Sequence, residues 1–179
     1  MLITTARFQL RDATAAYHRR VDTAFSAFDL TRADDYRRFL SAHVRVLPAL
    51  EDMVAAGTPW SGWSPRASLL MADFQDMQTQ PPAAMVLSLS TDAAARWGIQ
   101  YVLEGSKLGG RVLASRVAQD LPRRYLASAN DPQAWQRFQA ELNEASIKSG
   151  SAWESAIVMA QHVFEIFEQA AIAELEGRA

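Results

Sequence analysis

The chain of 179 residues contains no cysteine. Disulfides, thiolate metal sites and cysteine nucleophiles are therefore excluded, and any metal must rely on His, carboxylate, Tyr or Met. Imidazole is scarce too, with only His18, His43 and His162 to supply it. Neither sign of charge prevails: 18 basic residues face 20 acidic ones, for a net charge of -2, so no field across the whole surface draws nucleic acid or an anionic membrane. The opening MLITTARFQLRDAT has an early Arg7 and no apolar run of signal-peptide length, and no later stretch approaches the ~20 apolar residues of a membrane span. The expectation is a cytoplasmic protein with neither nucleic acid nor membrane as partner. Convincing alternation of apolar and polar residues is also missing, which argues against a sheet.

What the sequence has is apolar residues at helical spacing. With 49% hydrophobic residues, one domain spanning 1–179 can bury a sizeable core. Phe8, Leu10, Ala13, Tyr17, Val21 and Phe25 mark a first amphipathic helix, with Arg11, Asp12, Arg19 and Arg20 mostly between them. Thr31 and Asp34 have capping-box spacing before a second helix through Leu50, which Pro48 should bend near its end. The segment 57–65, GTPWSGWSP, is a loop, and Ser64 with Pro65 can cap a third helix reaching Met77. After a connection at 78–90, Ser90, Thr91 and Asp92 offer N-caps for a long helix through Val117 that Pro122 stops. A turn at 128–132 precedes a helix bearing Trp135, Phe138 and Leu142, and Ser151 with Glu154 repeats the capping-box spacing before a last, strongly apolar helix. The fold class is all-α, a bundle of six or more helices.

Two features invite a chemical reading. The segment GSKLGG places Gly105, Gly109 and Gly110 inside the long helix, at a cost of roughly 3 kcal/mol in helix propensity, about 1 for each glycine. Either the bare backbone of a kinked helix lies on a flat ligand, or small residues permit a close helix crossing; the Gly-x-x-x-Gly step serves both. The second feature is His18, which shares one helical face with Arg11, Thr14 and Asp22. Asp22 can hold one ring nitrogen while the other ligates a metal, and Arg11 can meet a carboxylate at the rim of a ligand centred over the histidine. The alternative is a helical His–Asp pair with no ligand. His43 and His162 read as core or boundary histidines. The carboxylates Glu51, Asp52, Asp73, Asp76, Glu165 and Glu168 raise a di-iron bundle, but no Glu is followed three residues later by His, as that site requires. Ser106 as a hydrolytic nucleophile lacks the strand–turn–helix elbow.

Taken together, LRDATAAYH at 10–18, FLSAHVRVLPALE at 39–51 and YVLEGSKLGGRVL at 101–113 resemble the heme oxygenase family, and within it the bacterial biliverdin-producing branch associated with bacteriophytochromes. The resemblance implies a bundle in which heme is sandwiched between a proximal and a distal helix. It makes His18 the axial ligand of the heme iron and the helix around Gly105, Gly109 and Gly110 the distal helix. It places Arg11 at a propionate, with Tyr101 and Arg137 as further rim candidates and Thr14 and Asp22 beside His18. At the position where the mammalian branch carries a water-ordering aspartate this chain has Ser106, whose hydroxyl can organise water but carries no charge. The implied activity is oxidative cleavage of heme, as substrate and cofactor, to biliverdin, carbon monoxide and ferrous iron. It would use molecular oxygen and an external electron donor such as a ferredoxin or reductase, with a bacteriophytochrome as receiver of biliverdin. Two alternatives stand beside it: a non-catalytic heme carrier or sensor of the same fold, and a helical module without heme, such as an enzyme of the thiaminase-like bundles or an interaction domain.

Overall fold

The computed structural model describes residues 5–89, 92–128 and 131–177. Among these residues six α-helices follow one another as α1 (Ala6–Ser26), α2 (Ala33–Ala55), α3 (Ala67–Asp76), α4 (Ala93–Ala114), α5 (Ala134–Ser149) and α6 (Glu154–Glu176). Short 3-10 turns lie at Leu126–Ser128 and Gly150–Trp153, and no strand occurs among the described residues. The all-α expectation is met.

Helix α6 is the spine. Apolar over much of its girth, it buries Ala156, Met159, Ala160, Val163, Phe164, Phe167, Ala170 and Ala171, and α4, α1 and α2 pack against it. Its contact with α4 is close because both sides are small. A Cβ on Gly98 would lie 2.2 Å from the Ala156 carbonyl oxygen and 3.0 Å from the Ala160 nitrogen. Helix α1 is tied to the spine by Gln161 Nε2, which donates to the Ala13 carbonyl at 3.0 Å, and by Arg20 pairing with Glu168.

The helix ends show where local sequence rules yield to tertiary partners. Asp92 caps α4 as expected, accepting from the Ala95 N–H at 2.8 Å; Ser90 and Thr91 lie outside the described residues. The other three caps are corrected. The N-cap of α2 is Arg32, not Thr31, whose N–H and hydroxyl both donate to Asp29 in the preceding turn. The N-cap of α3 is Arg66, and its first amides are met from α2: Glu51 accepts from the Arg66 N–H at 2.6 Å and the Ala67 N–H at 2.9 Å. Ser151 lies in the 3-10 turn that leads into α6 and makes no cap. Gly150, at φ +54°, reverses the chain between α5 and that turn. Helix α2 continues past Pro48 to Ala55. Helix α4 stops at Ala114 rather than near Val117, and Arg123 takes up the carbonyls of Ala114, Ala118 and Gln119 beyond it.

Candidate functional site

Helices α1 and α4 each pack on α6, and a cleft of about 740 Å³ opens between them. That lies within the ~300–1,000 Å³ usual for small-molecule and cofactor sites. Its α1 side carries Arg11, Thr14, His18 and Asp22; its α4 side carries Tyr101, Gly105, Ser106, Gly109 and Gly110. Phe25, Phe39, Phe164 and Phe167 make the wall between them strongly apolar.

His18 sits on the α1 side of the cleft with one ring nitrogen anchored. Its Nδ1 is 2.9 Å from Asp22 Oδ2, one helical turn away, and its ring meets Phe164 edge-on at 5.5 Å. In a neutral ring whose Nδ1–H is given to that carboxylate, Nε2 carries the lone pair. Thr14 is buried and spends its hydroxyl on the Leu10 carbonyl at 2.7 Å. Burial pushes the Tyr101 phenol above its ordinary range, with the neighbouring Thr14 side chain pulling it back. Arg11 lines the rim but is chelated to Asp12 and lies 4.8 Å over the Phe8 ring.

The glycines divide. A Cβ on Gly109 would meet nothing within 4 Å, and one on Gly105 would meet only the Trp135 ring, at 3.7 Å. A Cβ on Gly110 would lie 3.2 Å from the Leu126 carbonyl. Gly105 and Gly109 thus bare the backbone to the cleft, while Gly110 lets the 3-10 turn approach. Helix α4 runs without a break through all three, from Ala93 to Ala114.

Ser106 reaches the cleft with its hydroxyl already engaged: it donates to the Leu103 carbonyl at 2.7 Å and accepts from Arg66 Nη2 at 2.7 Å. Arg66 is the residue that sequence reasoning missed. Only 3% exposed, it lines the cleft, donates through Nη2 to Ser106 and to the Leu103 carbonyl, and lies 4.8 Å over the Tyr125 ring. Its Nε and Nη1 hydrogens have no acceptor among the described residues. Glu51 anchors its backbone, as described above. Tyr125 beneath it is held by the buried Asp73, which accepts from the Arg124 and Tyr125 N–H groups at 3.0 Å each. His43 completes this corner. Its Nδ1 meets the Phe39 carbonyl at 2.8 Å, and its ring is enclosed by Phe25, Phe39, Tyr125 and Phe167. Burial pushes its pKa down to about 4; the Phe39 bond opposes this and the Arg66 charge reinforces it.

Two residues stay outside. Arg137 does not line the cleft and pairs with Asp131; Glu104 is buried in an ion pair with Lys107. Of the carboxylates considered for a di-iron site, Glu51 caps α3, Asp73 accepts the Arg124 and Tyr125 amides, and Asp76 and Glu168 pair with Arg124 and Arg20; no group of three or more potential ligands for a metal occurs among the described residues.

A heme oxygenase of Xanthomonas campestris pv. campestris is 36% identical over 154 residues, covering 79% of this chain and 92% of that relative. The chain belongs to the heme oxygenase family. It is accordingly an enzyme that takes heme as substrate and cofactor. The crystal structure of the NO- and CO-bound heme oxygenase from Neisseria meningitidis shares the fold at a TM-score of 0.82 and 21% identity, covering 96% of this chain and 92% of that one. No family model matches the chain. Among the described residues no helix is long and apolar enough to cross a membrane.

For a heme oxygenase the missed residues have a physical signature. Arg66 is a lone arginine at the head of the apolar segment ASLLMADF, where an amphipathic helix would ordinarily begin with a cap. Nothing in its neighbourhood announces that Glu51, on another helix, performs the capping.

Proposed function

We propose that this heme oxygenase opens heme to biliverdin, carbon monoxide and ferrous iron, with His18 of α1 as the residue that would hold the iron and the Gly105–Gly109 backbone of α4 as the surface on which the ring would rest. The observation that carries the reading is the cleft itself: an anchored imidazole with a free Nε2 on one helix, and on the other a backbone at Gly109 with empty space where a side chain would be. A flat apolar macrocycle with one metal coordination position fits that chemistry. Bound heme supplies redox-active iron and the ring that is consumed, while electrons and dioxygen come from outside.

The chain's own groups then have distinct tasks. Asp22 holds the Nδ1–H of His18 and aims Nε2. Gly105 and Gly109 let the ring lie flush on backbone. Arg66 brings unspent donors to the cleft, where they hold water or an electron-rich acceptor. His43, neutral at pH 7 with Nδ1–H given to Phe39, offers Nε2 as an acceptor. Ser106 orients Arg66 rather than delivering a proton, since its hydrogen is committed to Leu103. Arg11 reaches a propionate by giving up its pair with Asp12, an exposed contact worth at most about 1 kcal/mol. Tyr101 and Thr14 support the same rim; Arg137, turned to Asp131, takes no part. A ferredoxin or reductase as electron donor, a bacteriophytochrome as receiver of the product and a cytoplasmic setting complete the proposal.

Hemin titration followed by ascorbate or ferredoxin in air, watched by absorption, tests it. The expected result is a saturable Soret shift, then loss of the Soret band and growth of biliverdin absorption. A Soret band that survives reductant and air establishes a carrier or sensor; no shift at all removes heme. His18→Ala is expected to retain the helical fold and lose the axially ligated spectrum, and an unchanged spectrum removes His18 from the site.

A further inference from the structure

Trp135 is the α5 residue that lines the cleft, and it is held from three sides. Its ring abuts the roof, 3.7 Å from where a Cβ of Gly105 would stand. Behind it Phe138, fully buried, stacks at 5.5 Å with an interplanar angle of 26°. With the Gln139 amide oriented to suit its two donor neighbours, its oxygen accepts from Trp135 Nε1 at 2.5 Å, one turn back along α5, and from Arg7 Nε of α1 at 3.1 Å. The indole is therefore a rigid apolar wall, clamped by a bridge between two helices.

A floor and a roof do not fix the rotation of a flat ring in its own plane. The side walls do, because a ring turned about the axial bond presents different substituents to them. Only one cleft wall rises from α5, and it is this clamped indole.

Resting on the heme reading above, we propose that Trp135 is a specificity-determining residue: its wall selects the in-plane seat of the macrocycle and so the meso carbon that is attacked. Gln139 and Arg7 are positioning residues that act through it.

The test compares wild type with Trp135→Ala, Trp135→Phe and Gln139→Leu, by chromatography of the biliverdin isomers and by the heme-methyl proton shifts of the ferric cyanide complexes. Trp135→Ala is expected to keep the Soret position and His18 ligation, show a second set of heme-methyl resonances, and raise the minor-to-major isomer ratio about tenfold, the size of effect one lost apolar contact produces in a pocket. Trp135→Phe, which keeps a ring and should keep the fold, falls between. Gln139→Leu moves the ratio in the same direction by a smaller factor at unchanged heme affinity. A wild-type ratio and a single methyl set in Trp135→Ala overturn the proposal. Wild type that binds heme without opening it defeats the activity reading alone, and the methyl pattern still decides the seat; absence of heme binding overturns both.

Discussion

Helix α4 contains glycines for two opposite reasons. Around Gly98 the helix presses on α6, and a Cβ would come within 2.2 Å of the Ala156 carbonyl oxygen; the glycine is there because protein fills the space. Around Gly109 a Cβ would meet nothing within 4 Å, and at Gly105 only the Trp135 ring at ordinary contact distance. Each glycine costs the helix about 1 kcal/mol relative to alanine. At Gly98 the close packing of α4 on α6 offsets that cost within the protein. At Gly109 nothing among the described residues does, and in the function proposed above heme is what offsets it. Gly110, 3.2 Å from the Leu126 carbonyl by the same measure, belongs with Gly98.

The comparison can be broken by substitution. The largest effect is expected at the crossing: Gly98→Val drives two methyls into the backbone of α6, and overpacking against an element that cannot yield should destabilise by at least about 3 kcal/mol in urea unfolding. A loss below about 1 kcal/mol would mean that the two helices part easily and that the contrast is false.

Next in size is the pH dependence of the free protein. His43 is pushed down to about 4 from 6.5, so between those values the unfolded chain binds a proton that the folded one refuses. Stability therefore rises with pH through that window and is lost as pH falls through it, by at most about 3 kcal/mol. Glu51 and Asp73, pushed up by burial, act in the opposite sense, their contribution fading as pH rises through their raised values. Because both remain in His43→Asn, the wild-type-minus-variant difference between pH 4 and 6.5 isolates the histidine. A difference that does not vary with pH shows that the His43 corner accepts a proton without penalty.

Smaller still is Ser106→Ala, which removes an acceptor of Arg66 and a bond to Leu103 and should cost about 1 kcal/mol of stability. Heme turnover should fall only modestly, because Arg66 keeps its bond to the Leu103 carbonyl. Complete loss of turnover would return proton delivery to the serine.

Periodicity was enough to place all six helices, because each has an apolar face and most boundaries carry Pro, Gly or Asp. His18 with Asp22 was legible because i, i+4 spacing on a helix is itself geometry. Three things were not. The capping of α3 by Glu51 joins residues fifteen or more apart, and the capping-box rule describes only local partners. Gly98 lies in the apolar stretch WGIQYVL, where it looks like one small residue among large ones until α6 is laid across it. The GSKLGG cluster attracts attention as a unit, yet only the fold separates Gly110, which lets backbone approach, from Gly105, which meets only the Trp135 ring, and Gly109, which meets nothing. Arg137 was misplaced for a related reason: it is two residues along α5 from Trp135, which faces the cleft, and so projects elsewhere.

Gly109→Leu tests the central claim most directly, when unfolding of the free protein and product formation are measured on the same preparation. The open space predicts a variant as stable as wild type or more so, by up to about 1 kcal/mol from helix propensity, that has lost biliverdin formation or redirected it to another meso carbon. A destabilised variant that turns heme over normally would contradict the account and make Gly109 a packing residue like Gly98.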